Sequence, residues 1–294
     1  LRRGLVARAP ALELRHVTSV AAHLDGGNGL GFVVATRAME AAIGMARAHG
    51  IGLVSVRRST HFGMAAAYLL QAIEAGLAGV VFTNAAPAMP PWGGREPLFG
   101  TNPFAVGVPG GEDGDFVLDM APSVASRGKI RKAQRLGEPI PEGWALDAGG
   151  RPTTDPGAAL KGVVLPMGGA KGYGLAMMVE ILAGVLSGSA FAGEVGDQFS
   201  DFDRPQDVGH FVMAMRPDLF LPAGEVAARM DTLAGRARGM ARADGFDEIR
   251  IPGERGARME ALRLREGIPY READLEALRD LAAEHGIELP PPPG

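Results

Sequence analysis

The stretch IGLVSVRRSTHFGMAAAYLLQAIEAGLAGVVFT, residues 51–83, decides the fold class. Ile51 to Val56 is short and apolar enough for a buried strand, and Ser59-Thr60-His61-Phe62-Gly63 is a turn. Met64 to about Glu74 has helical spacing and stops at Gly76. Val80 to Thr83 is then another strand, of the buried, parallel-sheet type. Strand, helix and strand at this spacing make an α/β unit.

Working outward, 17–24 reads as a strand ending at the turn Asp25-Gly26-Gly27-Asn28-Gly29, followed by a helix from Gly31 to His49 that Gly50 stops. Residues 86–103 are a Pro- and Gly-rich loop of a length that usually serves function. Phe104–Val108 and Phe116–Met120 pair around the Gly110–Gly114 turn, and 137–157 is a second Gly/Pro loop. A glycine turn at 168–172 opens an apolar helix, 173–186; a mostly irregular segment follows over 191–210. Phe211–Met215 is a strand, with helices at 223–242 and about 271–285 before a Pro-rich tail. Residues 1–294 are thus read as a single α/β unit, with 25–210 as the cofactor and substrate core and 286–294 as a disordered tail.

Composition removes several function classes. The 30 basic and 34 acidic residues leave a formal charge of −4 without a basic block, which disfavours nucleic acid and an anionic membrane surface as partners. No cysteine is present, so disulfides, thiolate metal sites and cysteine nucleophiles are excluded. That usage suits a reducing compartment and a cytoplasmic location. The longest apolar run, 173–186, is interrupted by Glu180 and is shorter than the ~20 residues of a membrane span. No H-E-x-x-H, paired-histidine or acidic-cluster pattern marks a metal site, and the serine elbow G-x-S-x-G is missing.

His61 is the most suggestive histidine, because it ends a buried strand just before a helix, where open α/β sheets bind ligands. An imidazole there can exchange a proton near neutral pH, although packing or capping is the commoner fate of such a residue. His16, His23 and His210 are less well placed, and His49 and His285 precede helix-stopping glycines. The turn Gly168-Gly169-Ala170-Lys171-Gly172 offers backbone N–H groups and one lysine to a phosphate. Neither the Walker pattern nor G-x-G-x-x-G occurs, so a dinucleotide would not bind in the Rossmann manner. Asp119 closes a strand, where a carboxylate can hold a ribose hydroxyl, orient a catalytic group, or simply cap a turn. Glu180, inside an apolar helix, needs a buried partner and reads as structural. Arg127, Lys129, Arg131 and Lys132 could meet a 2′-phosphate or form an exposed basic loop.

Taken in order, Ser59-Thr60-His61-Phe62-Gly63, Gly100-Thr101-Asn102-Pro103, Leu118-Asp119-Met120-Ala121 and Arg127-Gly128-Lys129-Ile130 resemble the malate/L-lactate dehydrogenase family of the non-Rossmann type. Ile140-Pro141-Glu142-Gly143-Trp144, Pro152-Thr153-Thr154-Asp155-Pro156, the Gly168–Gly174 turn and Ile251-Pro252-Gly253-Glu254 extend the likeness over nearly the whole chain. Ureidoglycolate and sulfolactate dehydrogenases and piperideine/pyrroline-2-carboxylate reductases belong to that family. The resemblance implies a mixed sheet flanked by helices, NAD or NADP as cofactor, a small 2-oxo, 2-hydroxy or cyclic 2-imino acid as substrate, and a homodimer. It implies catalytic roles for His61 and Asp119 and substrate contacts at Asn84 and Thr154. His61, Asp119, Met120, Ala121, Gly169, Lys171, Pro252, Gly253 and Glu254 would touch the cofactor. The family's N-terminal helical segment, with Ser-His-Gly and a following arginine, has no match in residues 1–20. The expectation is that it lies outside this sequence or that the chain is a divergent member. Two other readings stay open: a homologue that binds nicotinamide without turnover, and a lyase or isomerase using His61 on an α-keto acid.

Overall fold

The computed structural model describes residues 3–222 and 224–290. The chain divides into two compact units, one up to Pro252 and one from Gly253 onward. The larger unit opens with β1 (Glu13–His16), β2 (Ala21–Asp25), α1 (Gly31–His49), β3 (Ile51–Ser59), α2 (Ala66–Glu74) and β4 (Ala78–Thr83). It continues through β5 (Phe104–Val108), β6 (Phe116–Met120), α3 (Arg127–Leu136), β7 (Ala145–Leu146), β8 (Pro152–Thr153), α4 (Pro156–Lys161) and β9 (Val163–Val164). α5 (Ala170–Glu180) runs into a π-helical turn, Ile181–Val185, and β10 (Val208–Met215) and α6 (Glu225–Arg238) close the unit. The smaller unit carries α7 (Glu254–Glu266) and α8 (Glu272–His285).

Seven strands form one mixed sheet in the order β1-β2-β3-β10-β4-β5-β6. Only β2 and β3 pair in parallel; the other five pairings are antiparallel. Here the structure corrects the reading of 51–83. β10 inserts between β3 and β4, so β4 sits in two antiparallel pairs, not beside β3. Alternation along β10 decides what each face meets. Val212 and Ala214 point into the main core with Val34, Ala38 and Ala42 of α1 and Leu69 and Ala72 of α2. On the opposite face a Cβ on Gly209 would collide with the carbonyl oxygen of Ala183, so the π-helical turn rests directly on β10.

Other elements differ from expectation in ways that local chemistry explains. The strand expected at 17–24 begins only at Ala21, because Val17 and Thr18 turn back onto the Ala21 carbonyl to join it to the unexpected β1 in a hairpin. The basic stretch at 127–132 is not a loop but the start of α3, capped by Ser126 Oγ accepting the Lys129 N–H. Its one buried side chain, Ile130, packs into a second core with Met89, Phe99, Ile140 and Ala145. The loop 137–157 holds β7 and β8 of a three-stranded sheet, β8-β7-β9. The apolar helix starts three residues early, at Ala170, and α7 was not anticipated. Residues 291–294 of the expected tail lie outside the described residues. No described helix is long and apolar enough to cross a membrane.

Candidate active site

The end of β3 delivers Ser59 and Thr60 to the helix starts of α1 and α2. Thr60 Oγ1 accepts the Gly31 N–H at 2.8 Å, anchoring the first turn of α1. Gly31 is obligatory there, since a Cβ would strike the carbonyl oxygens of Thr60 and His61. This contact, and the Gln206 side chain accepting the His61 N–H at 3.1 Å, hold the His61 backbone. His61 lines a cleft of about 220 Å3. That is below the roughly 300–1,000 Å3 of drug-sized sites and suits a substrate of few heavy atoms.

Gly63 N–H donates to His61 Nδ1 at 3.1 Å. The neutral ring therefore carries its hydrogen on Nε2, an assignment made from the partner. Burial against the cleft wall pushes the His61 pKa below its usual 6.5, and losing the Gly63 bond on protonation acts in the same sense.

Behind His61 lies a residue that sequence reasoning undervalued. His210 is fully buried, with Nδ1 2.8 Å from Thr83 Oγ1 and Nε2 2.8 Å from Ser59 Oγ. The single hydrogen of Thr83 Oγ1 is directed to the carbonyls of Asn84 or Gly209, so Oγ1 accepts from Nδ1–H, and Ser59 O–H donates to Nε2. Burial pushes the His210 pKa down to about 3, helped by the nearby His61. Its ring stacks on Phe62 at 4.6 Å, and Phe62 stacks on Tyr68 at 4.9 Å. One neutral histidine thus ties β3, β10 and β4 together beneath the catalytic candidate. The available signal was parity: His210 shares its face of β10 with Val212 and Ala214.

Asn84 lines the same cleft, but its amide is partly committed. Nδ2 donates to Ala190 O at 2.7 Å, and Oδ1 accepts Gly209 N–H at 2.9 Å. One N–H and one lone pair remain for a ligand. Next to it Asn102 Nδ2 donates to Glu180 Oε2 at 2.6 Å, and Glu180 Oε1 accepts Ala192 N–H. This is the buried partner that Glu180 required; burial raises its pKa and the two donors oppose that rise. Thr154 is exposed, lies outside the cleft lining, and contributes its carbonyl to Ile140 N–H.

Asp119 is likewise outside the cleft lining. Its Oδ2 accepts Ala66 N–H at 2.8 Å, capping α2 from a neighbouring strand. Burial raises its pKa, against the lowering effect of the Ala66 and Ala65 N–H groups. Asp119, Met120 and Ala121 lead straight to Pro122 and Ser123, which lie against the glycine turn. Met167 N–H donates to Pro122 O, and Val124 N–H to Leu165 O. Val117 N–H donates to Pro252 O. The structure therefore gathers three of the sequence-predicted cofactor segments: 119–121, the turn at 168–172 and Pro252. Gly253 caps α7 with a φ of 108°, and Glu254 is the first residue of that helix.

Most N–H groups of the turn are spent inside it: those of Gly169, Lys171, Gly172 and Tyr173 bond to Pro166, Gly168, Met167 and Gly169. What remains for a phosphate is the first N–H of α5, the exposed Lys171 and the buried hydroxyl of Ser123, which has no partner. Ser123 bridges to Pro166 just before the glycine turn, so its orphaned hydroxyl, the first N–H of α5 and Lys171 are donors compatible with a phosphate of the cofactor. No described group of three or more His, Asp or Glu side chains could hold a metal.

The sequence pattern of the family described as malate/L-lactate dehydrogenase matches residues 1–279. The chain belongs to that family. It is similar to the NADP+-dependent (2R)-3-sulfolactate dehydrogenase of Chromohalobacter salexigens, 40% identical over 261 residues, covering 88% of this chain and 75% of the relative. The NAD+-dependent ureidoglycolate dehydrogenase of Escherichia coli strain K12 is 33% identical over 254 residues, 86% of this chain and 72% of that one. Among solved structures, the sulfolactate dehydrogenase from Methanocaldococcus jannaschii superposes with a TM-score of 0.89 at 36% identity, covering 97% of this chain and 82% of its own. This malate/L-lactate dehydrogenase family member is thus an NAD(P)-dependent dehydrogenase or reductase of small hydroxy acids, on a mixed α/β fold.

Proposed function

We propose that this dehydrogenase moves a hydride between NAD(P)H and C2 of a small 2-oxo or 2-hydroxy acid, or a cyclic 2-imino acid, with His61 handling the proton. The observation that carries the reading is His61 itself, a histidine of depressed pKa lining a small cleft that Arg127 and Arg131 also line. The nicotinamide, when bound, supplies or accepts the hydride. Lys171, Ser123, Asp119 to Ala121 and Pro252, with Gly169, Gly253 and Glu254, would hold the cofactor. Asn84 offers its remaining N–H to the substrate oxygen, and Thr154 stays a proposed contact.

In oxidation His61 acts as the base. The nitrogen without hydrogen is Nδ1, so accepting the substrate proton there exchanges the Gly63 N–H for the substrate hydroxyl. In reduction the imidazolium returns that proton to the oxygen on C2 of an oxo acid, or to the ring nitrogen of a cyclic imino acid. A pKa below 6.5 keeps the ring neutral at physiological pH, which favours the base role. Asp119 acts on this chemistry by fixing the start of α2, a few residues beyond His61. We place the enzyme in the cytoplasm as a homodimer; exposed Met177, Met178, Ile181 and Val185 provide an apolar face for a second copy.

The test is loss of nicotinamide absorbance, by stopped flow, when the full-length protein meets a panel of 2-oxo and cyclic 2-imino acids. Turnover of one or more members is expected. Nicotinamide binding without turnover of any would reject the reading in favour of an inactive homologue.

A further inference from the structure

We propose that Tyr68 is a positioning residue for the proton transfer. Its hydroxyl orients the Phe62–Gly63 peptide, and that peptide fixes which nitrogen of His61 is free to act as the base. The inference rests on the proposed role of His61 and deepens it. Gly63 N–H donates to Nδ1 of the neutral ring and so keeps that nitrogen free of hydrogen. Whatever aims this N–H therefore selects the tautomer. The same peptide unit carries the Phe62 carbonyl, which accepts the Tyr68 hydroxyl at 2.5 Å. A peptide unit is planar, and this one is trans, so its C=O and N–H point in opposite directions. Holding the oxygen on one side aims the N–H on the other.

The surroundings suit a clamp. Tyr68 is the third residue of α2 and is buried. Side chains on a helix lean toward its N-terminus, which carries this one back to the turn that precedes α2. Its ring stacks on Phe62 with centroids 4.9 Å apart, and Phe62 stacks on His210 at 4.6 Å. The Phe62 side chain is thus held by two rings while its carbonyl is held by a hydroxyl. Burial pushes the Tyr68 pKa up to about 12, so the phenol stays a donor near neutral pH. Gly63 has a φ of 80°, and a Cβ there would strike Phe32 Cε1, so this position in the turn requires glycine. Asp119 caps the helix that presents Tyr68, because its carboxylate accepts the Ala66 N–H. Its influence then reaches His61 through Tyr68 and Phe62. A ring of the other tautomer would set its own Nδ1–H against the Gly63 N–H, and the clamp disfavours that state.

The experiment compares the full-length wild type with Tyr68→Phe, which keeps the ring stack and removes only the hydroxyl. Side-chain nitrogen shifts of histidine, measured by NMR at about pH 8 where the ring is neutral, report the tautomer without any turnover. The His61 signals are identified by their loss in His61→Ala. The wild type should show hydrogen on Nε2 and a bare Nδ1, and Tyr68→Phe a mixture of the two neutral forms. On the substrate that the panel identifies, Tyr68→Phe should lower kcat by about 3- to 10-fold, the scale of one hydrogen bond, with KM kept within about twofold. A loss of stability alone would move neither the shifts nor the kcat of the folded enzyme. A wild-type His61 with its hydrogen on Nδ1, or a Tyr68→Phe protein with wild-type shifts, would overturn the clamp. Altered shifts with unchanged kcat would overturn its part in the proton transfer. A wild type that turns over no member of the panel defeats the redox reading, while the shifts of the resting protein still decide the clamp.

Discussion

Protonation of His210 should set the acid stability of the larger unit. The ring is fully buried between Ser59 and Thr83, and its pKa falls from 6.5 to about 3. Because the folded value is depressed, the neutral ring's contribution is complete above pH 6.5 and is lost as pH falls, when only the unfolded chain takes up the proton. Each pH unit in that window costs about 1.4 kcal/mol, so the loss from pH 8 to pH 5 comes to about 2 kcal/mol. That figure holds for any folded pKa below about 4. His61 and other groups titrate too, so a variant must isolate the effect. His210→Asn can still donate to Thr83 Oγ1 but abandons Ser59 and the stack on Phe62, costing about 2 kcal/mol at pH 8. Urea unfolding followed by tryptophan fluorescence reads the right part, because Trp92 and Trp144 both precede Pro252. The wild type should lead the variant by about 2 kcal/mol at pH 8, with the lead closing towards zero at pH 5. A lead that is constant across that range would refute the argument.

Further outcomes follow from the polar contacts around the cleft. Asn102→Ala leaves Glu180 Oε2 and the Ala85 N–H without their partner and places alanine at a φ of 37°. It should cost about 2–4 kcal/mol, seen as a lower unfolding midpoint. Asp119→Ala removes the cap of α2 and should cost about 1 kcal/mol, while Asp119→Asn keeps an acceptor and much of the stability. Thermal unfolding of the pair separates capping from charge; equal losses would show that the charge matters more than the cap.

Much of the larger unit was legible because local signals agreed with the final fold. Gly50 ends α1, and the β5–β6 hairpin forms at the expected residues around 110–114. What stayed hidden is long-range. Nothing in 51–83 reveals that a strand more than a hundred residues later inserts between β3 and β4, since pairing is decided by tertiary contacts. The same insertion brings His210 to Ser59 and Thr83, so parity along β10 marks it as inward-facing but its partners could not be read from its neighbours. α3 was missed because its sequence is nearly all polar: one buried side chain, Ile130, and the Ser126 cap carry it. The turn position singled out His61 without separating a catalytic from a capping role, and the resemblance supplied the catalytic expectation. Asp119 drew attention by its place at a strand end and took its expected role from the resemblance; the structure puts its carboxylate on the start of α2.

The central claim is that His61 moves the proton in a nicotinamide-dependent reaction at C2, and His61→Ala tests it most directly. With the substrate the panel identifies, kcat for the full-length variant should fall by about 10²- to 10⁴-fold while nicotinamide binding by calorimetry is kept. In the wild type, kcat/KM for oxidation should rise with pH to a plateau through a pKa below 6.5, and the variant should lack that limb. A His61→Ala enzyme with undiminished kcat and the same pH profile would contradict the account.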